Sequence, residues 1–225
     1  MKFLGNSLAT PLAFLALSTP AWAADPITFE PPVPPAEVAS HDWTGPYVGV
    51  QGGFGWANLE QTAGPDFFLE GNSVDLSGPF IGAHAGYNVQ WDSLVLGVEG
   101  DINASWIDGD FIWGGDETGS ARVNWFGSLR GRLGLAVDKT LFFGTAGLAA
   151  AGVNIDLPAI SVSDDQTYMG WTAGLGIEHM LKENWSVRGE YRYYDFQNAT
   201  FFENPIEHDF DLTMHTVSIG LTYKF

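Results

Sequence analysis

From Tyr47 to the end of the chain, apolar side chains return at every second position in one run after another. A period of two leaves room for little except β-strands with unlike faces. The first run sets Val48, Val50, Gly52, Phe54 and Trp56 against Tyr47, Gly49, Gln51, Gly53 and Gly55. The second sets Ile81, Ala83, Ala85, Tyr87, Val89 and Trp91 against Phe80, Gly82, His84, Gly86, Asn88 and Gln90. After Asp92-Ser93, Leu94, Leu96, Val98, Ile102, Ala104 and Trp106 oppose Val95, Gly97, Glu99, Asp101, Asn103 and Ser105. The fourth run opposes Val123, Trp125, Leu129, Leu133 and Leu135 to Arg122, Asn124, Phe126, Ser128, Arg130 and Arg132. The fifth, about Leu141 to Val153, is nearly all apolar or glycine, and the pattern does not assign its faces. In the sixth, Trp171, Ala173, Leu175 and Ile177 face away from Thr172, Gly174, Gly176 and Glu178. In the seventh, Trp185, Val187, Tyr191 and Tyr193 oppose Ser186, Arg188, Glu190, Arg192 and Tyr194. The last opposes Val217, Ile219, Leu221, Tyr223 and Phe225 to Ser218, Gly220, Thr222 and Lys224.

The connections alternate in length. Short turns are expected near Asp92, Asp138 and Glu183, and long loops over 58–76, 107–120, 155–166 and 196–211. Short turns at one end and long loops at the other is the habit of bacterial outer-membrane barrels. The predicted fold is therefore all-β, a transmembrane eight-stranded antiparallel up-and-down barrel. The less apolar face supports this reading. A soluble sandwich would turn Lys, Glu, Thr and Ser to water on that face. Here it is mostly Gly, Asn, Gln and Ser, with Glu99, Asp101, Glu178 and Glu190 balanced by Arg130, Arg132, Arg188 and Arg192. Matched charges suit a closed lumen, where an unpaired ion costs several kcal/mol, and the guanidinium fork suits carboxylates. On the other face Trp56, Trp106 and Trp125 fall near the long loops. Trp91, Trp185, Tyr223 and Phe225 fall near the short turns, as two aromatic belts at two water–lipid boundaries would require.

Residues 1–23 read as a secretory signal peptide: Lys2, an apolar stretch from Leu8 to Leu17, then Ala21-Trp22-Ala23. Residues 24–42, with Pro31-Pro32-Val33-Pro34-Pro35, read as an extended periplasmic lead, and 43–225 as the barrel. Cysteine is absent, which removes disulfides and thiol chemistry.

Several segments carry a family resemblance: Trp43-Thr44-Gly45-Pro46-Tyr47-Val48-Gly49, Gly97-Val98-Glu99-Gly100-Asp101, and Gly127-Ser128-Leu129-Arg130-Gly131-Arg132-Leu133-Gly134. The run from Asn184 to Tyr193 and the stretch from His215 to Phe225 extend it over residues 43–225. The chain resembles the alphaproteobacterial outer-membrane surface-antigen, porin-like family, whose barrel is similar to the OmpA transmembrane domain. The resemblance implies outer-membrane location and contact with outer-membrane lipid and lipopolysaccharide. Ile219, Leu221, Tyr223 and Phe225 are similar to the terminal signal read by the barrel-assembly machinery.

Charge narrows the function. The chain holds 27 acidic and 9 basic residues. Beyond the four luminal acids, Asp25, Glu30, Glu37 and Asp42 lie in the lead, and Asp92, Asp138 and Glu183 in the short turns. The rest fall in or beside the four long loops, which contain no Lys or Arg. Nucleic acid is excluded as a partner, since phosphate binding needs a basic face. An acidic crown repels lipopolysaccharide unless divalent cations bridge the two. Asp108-Gly109-Asp110 lacks the remaining ligands of a calcium loop, and no metal or cofactor is expected. His84 reads as a luminal side chain. His215 lies on the lipid face, where a serine nucleophile would have to accompany it, and Ser218 points the other way. His208-Asp209 resembles one pair of an omptin protease without its further acids. The expected function is a non-enzymatic barrel giving envelope integrity and surface exposure, with a closed or very narrow lumen. The alternative is a small porin or a loop-borne receptor for haem, divalent cations with lipopolysaccharide, or a host surface.

Overall fold

The computed structural model describes residues 41–63, 73–113, 117–157, 162–201 and 208–225. The segment expected as a signal peptide, and the proline-rich lead up to residue 40, lie outside the described residues. Eight strands follow in order: β1 Gly45–Ala63, β2 Ser73–Trp91, β3 Leu94–Trp113, β4 Glu117–Val137, β5 Thr140–Leu157, β6 Val162–Met180, β7 Trp185–Phe201 and β8 His208–Lys224. Each pairs antiparallel with its neighbour, and β8 returns to β1 to close the ring. Closure satisfies every strand edge, the condition that hydrocarbon imposes on a sheet.

The register fixes the dimensions. Register partners lead from Tyr47 through Gly86, Glu99, Arg130, Gly147, Thr172, Tyr194 and Met214 to Ala57, ten residues further along β1. Eight strands with that stagger tilt about 40° and enclose a backbone cylinder of roughly 8 Å radius. Such an interior is just wide enough for its own side chains. Glycines make the fit possible: a Cβ on Gly86 would stand 2.4 Å from the Tyr47 hydroxyl, and one on Gly174 would stand 2.6 Å from Arg192 Cγ.

The three short turns are where the spacing predicts them, at Asp92-Ser93, Asp138-Lys139 and 181–184. Asp92 and Asp138 each open a turn at φ 52°, a left-handed conformation that Asp tolerates better than most residues. The long loops differ from expectation, because the strands run deep into all four of those segments. The alternation of faces continues there but its polarity inverts. Ala57, Leu59, Val74 and Leu76 are buried inside, whereas Asp75 and Ser77 are exposed outside.

Two further corrections concern faces. A bulge between Val123 and Trp125 leaves Asn124 and Trp125 both exposed, so Val123 turns inward and Arg122 outward, the reverse of the simple alternation. In β5, Leu141, Phe143, Thr145, Ala149, Ala151, Val153 and Ile155 face inward, and Phe142 and Leu148 face outward.

Outside, the exposed aromatics and aliphatics form a band. Trp56, Trp106, Trp125 and Trp171 stand on one rim, and Trp91, Trp185 and Phe225 on the other. Along β8 the outward series from His215 to Phe225 spans roughly 25 Å at the strand tilt, the height of a barrel's lipid-facing band. The upper belt therefore sits mid-strand, not at strand ends, and the strands continue past it by roughly 15–20 Å.

Leu175 is 72 % exposed near the middle of this band. Leu175→Arg should destabilise folding into phospholipid vesicles by about 2–4 kcal/mol. Asp108→Arg, above the band, should change it by less than about 0.5 kcal/mol. Urea titration of vesicle-inserted protein measures both.

Candidate functional site in the barrel interior

The buried side chains inside the ring stack in three layers. Nearest the short turns, Trp43, Val95, Ala136, Leu141, Phe143 and Met180 form an apolar cluster. Residues 41–44 run beneath it: Trp43 N–H donates to Gln90 Oε1 (2.7 Å) and Gln90 N–H donates to Thr44 Oγ1 (3.1 Å). Thr44 N–H donates to Asp42 Oδ1 (2.8 Å), and this bond holds the Asp42 carboxyl below its usual range.

The middle layer contains all eight residues singled out from the sequence. Nine ion pairs join them. Glu99 is the hub: it pairs with Arg130, with Arg188 (2.6 Å) and at longer range with Arg132 (3.9 Å), and it accepts the Tyr47 hydroxyl (2.8 Å). Glu190 receives Arg130 (2.6 Å), Arg188 (2.6 Å) and Arg192 (3.5 Å). Asp101 receives Arg192 (2.9 Å) and Arg130 (3.2 Å), with Ser128 and Asn103 (2.6 Å) donating as well. Glu178 pairs with Arg132 and accepts from Ser186 (2.5 Å). Every side chain in these pairs is at most 3 % exposed. Arg132 also lies 4.0 Å over the Phe143 ring, which joins the ionic layer to the apolar one beneath. His84 faces inward and meets Thr222 Oγ1 at 2.9 Å.

Above the ions lies a second and larger apolar cluster, absent from the sequence reading. It includes Leu59, Leu76, Phe80, Ile107, Val123, Phe126, Val153, Tyr168, Tyr194, Phe196, Leu212 and Met214. Phe126 stands at its base, packed edge-on against Phe80 (5.1 Å) and Tyr194 (5.6 Å). The signal was the inverted alternation within 58–76 and 107–120, apolar inward and acidic outward.

The remaining candidates are dispersed. Ile219 and Phe225 are exposed on the outer face, and Leu221 is 40 % exposed. His215 lies on the outer face and Ser218 is buried inside, as parity requires. The side chains of His208 and Asp209 lie outside the described residues. Among the described residues no group of three or more His, Asp or Glu is placed to hold a metal.

The sequence closes the assignment. Residues 9–225 match the family described as outer membrane protein beta-barrel domain. The chain belongs to that family. It is 34% identical over 229 residues to the 31 kDa outer-membrane immunogenic protein of Brucella melitensis, covering 92% of this chain and 95% of the relative. It is also 34% identical to the 25 kDa outer-membrane immunogenic protein of Brucella abortus, over the whole of both chains. Among solved structures, the outer membrane protein OprG of Pseudomonas aeruginosa superposes with a TM-score of 0.52 at 17% identity, covering 83% of this chain and 99% of OprG. The fold and the relatives together place this family member in the cell outer membrane.

Arg188 contacts both Glu99 and Glu190. Arg188→Ala should strand two buried carboxylates and cost on the order of 3–5 kcal/mol. Its heat-modifiable gel transition should fall to a lower temperature than wild type. Arg122→Ala, on the exposed face of β4, should leave that transition unchanged.

Proposed function

We propose that this protein is a non-enzymatic, sealed outer-membrane barrel that supports envelope integrity and holds an acidic surface outside the cell. The observation that carries this reading is the layering: an ionic layer between two apolar clusters, all in an interior no wider than its side chains. Water and ions crossing such a barrel would have to displace both apolar clusters and break the paired layer between them. An isolated ion entering the apolar parts would lose its hydration without gaining partners. Surface presentation finds support in the exposed acids of the strand extensions, among them Asp75, Asp108, Asp110 and Asp165. The Brucella relatives, named as immunogenic, support it too. Ile219, Leu221, Tyr223 and Phe225, alternate residues at the end of β8, are proposed as the assembly signal.

A chain without cysteine allows a direct test. Asn103→Cys, buried beneath the upper apolar cluster, should resist a charged thiol reagent added to intact vesicles from either side. Asp110→Cys, on the outer face, should react at once. Planar bilayers holding the wild type should show no stable steps of nanosiemens size. Rapid labelling at position 103, or such steps, would overturn the sealed barrel.

A further inference from the structure

We propose that residues 41–44 form an acid-released strap across the short-turn mouth of the barrel, with His41 as its latch. The segment leaves β1 at Gly45 and crosses to the opposite side of the ring. There His41 N–H donates to Asp138 O (3.4 Å) in the turn between β4 and β5. Four extended residues reach about 13 Å, enough with the bonds at their ends to cross a mouth of this radius. Trp43 hangs inward from the strap at 3 % exposure. Its N–H donates to Gln90 Oε1 (2.7 Å), and the Lys224 ammonium donates to Asp42 O. Three elements of the ring therefore grip the strap: β2, the β4–β5 turn and the end of β8.

The latch is a ring with nowhere to put a second proton. His41 packs edge-on against Trp43, with centroids at 5.4 Å and planes 83° apart. Its Nε2 is enclosed and meets no hydrogen-bond partner. A neutral imidazole tolerates that position, whereas an imidazolium would leave a charged N–H without an acceptor. Charges come from every side. Lys139 and Asp138 belong to the β4–β5 turn, Lys224 to the end of β8 and Asp42 to the strap itself. Lys182 and Glu183 face His41 from the β6–β7 turn. Burial first, and then Lys224, hold the His41 pKa below its ordinary 6.5, against the opposing effect of Asp42. The docked ring is the neutral one. Docking is at full strength above the pKa of a free histidine and weakens as the pH falls below it. An open recess of about 690 Å³ lies beside the ring, with Glu183 on its wall, so a protonated His41 that swings out finds water and a carboxylate. Release uncovers the lower apolar cluster and, behind it, the underside of the ionic layer. The inference rests on the sealed interior proposed above, because a lumen already open to water leaves the strap nothing to cover.

One thiol reports on the strap. Val95→Cys lies fully buried in the apolar cluster above it, and Ser93→Cys, in the exposed turn nearby, records the reagent's own response to pH. The mature protein in phospholipid nanodiscs is labelled with a charged methanethiosulfonate, and the rate at 95 is divided by the rate at 93. That ratio should rise about fivefold between about pH 7.5 and about pH 5 in the otherwise wild-type chain. His41→Phe, which keeps the edge-on packing and cannot take the proton, should hold the ratio low at both pH values. Trp43→Ala should raise it at both. Asn103→Cys, beyond the ionic layer, should stay unlabelled throughout. Heat-modifiable migration checks that each variant is folded. A ratio that stays flat in the wild-type background, or rises equally in His41→Phe, overturns the latch. A low ratio in folded Trp43→Ala overturns the strap, as does labelling at 103 that climbs in step with 95 on acidification. Labelling at 103 already present at neutral pH would instead defeat the sealed interior on which the strap depends.

Discussion

The charged side chains inside this barrel are buried from solvent, so each charge carried inward must find its counter-charge among the side chains around it. That constraint organises the middle of this protein. Four carboxylates and four guanidinium groups share nine contacts; Glu99, Asp101 and Glu190 each meet at least two arginines, and Glu178 meets Arg132 and the Ser186 hydroxyl. Arginine is needed in place of lysine because one planar fork serves two acids at once. Arg130 reaches Glu99 and Glu190 with different nitrogens, and Arg188 does the same. Deleting one member therefore disturbs several pairs, which is why such a layer is costly to break even where its net contribution to stability is small.

The stagger of the ring decides which pairs form. Glu99 and Arg130 are direct cross-strand neighbours and are ion-paired. Glu178 and Arg188 are also cross-strand neighbours, yet the Glu178 carboxylate pairs instead with Arg132, two strands away on β4. Between them β5 contributes no charge; it supplies Phe143, over whose ring the Arg132 guanidinium lies. In a narrow tube the reach across the lumen competes with the reach along the wall.

The membership of this layer was legible in the sequence because inward and outward residues differ so sharply on β3, β4, β6 and β7. The pairings were not, since they depend on stagger, and stagger comes from closing the ring. The faces of β5 were unreadable for a related reason: its outer side meets lipid while its inner side feeds both apolar clusters, so both sides are greasy. Strict alternation puts Val123 outward and Arg122 inward, and the one extra residue at the bulge reverses both. The segments expected as loops hid strands because acids and glycines there look like loop composition. Their alternation was present but with its polarity reversed, Ala57 and Leu59 inward against Asn58 and Glu60, and a reading tuned to apolar-outward strands passes over it.

That reversal follows from what surrounds each level of the barrel. Within the hydrocarbon, moving an apolar side chain from the outer face to the lumen gains nothing, because lipid tails are as apolar as leucine. What can hold the middle of the lumen together is polar pairing, stronger there for the absence of water. Above the upper aromatic belt the outside is water again, and burying Leu59, Phe196 or Leu212 inside regains the full hydrophobic driving force. The same change occurs at the lower end, where Trp43, Val95 and Met180 lie buried beside the short turns. An interior that is ionic at lipid depth and apolar at both wet ends is thus the expected outcome of one rule applied in two solvents. It also explains how a chain with mean hydropathy near zero (+0.01) and a net charge of −18 keeps a greasy belt facing lipid.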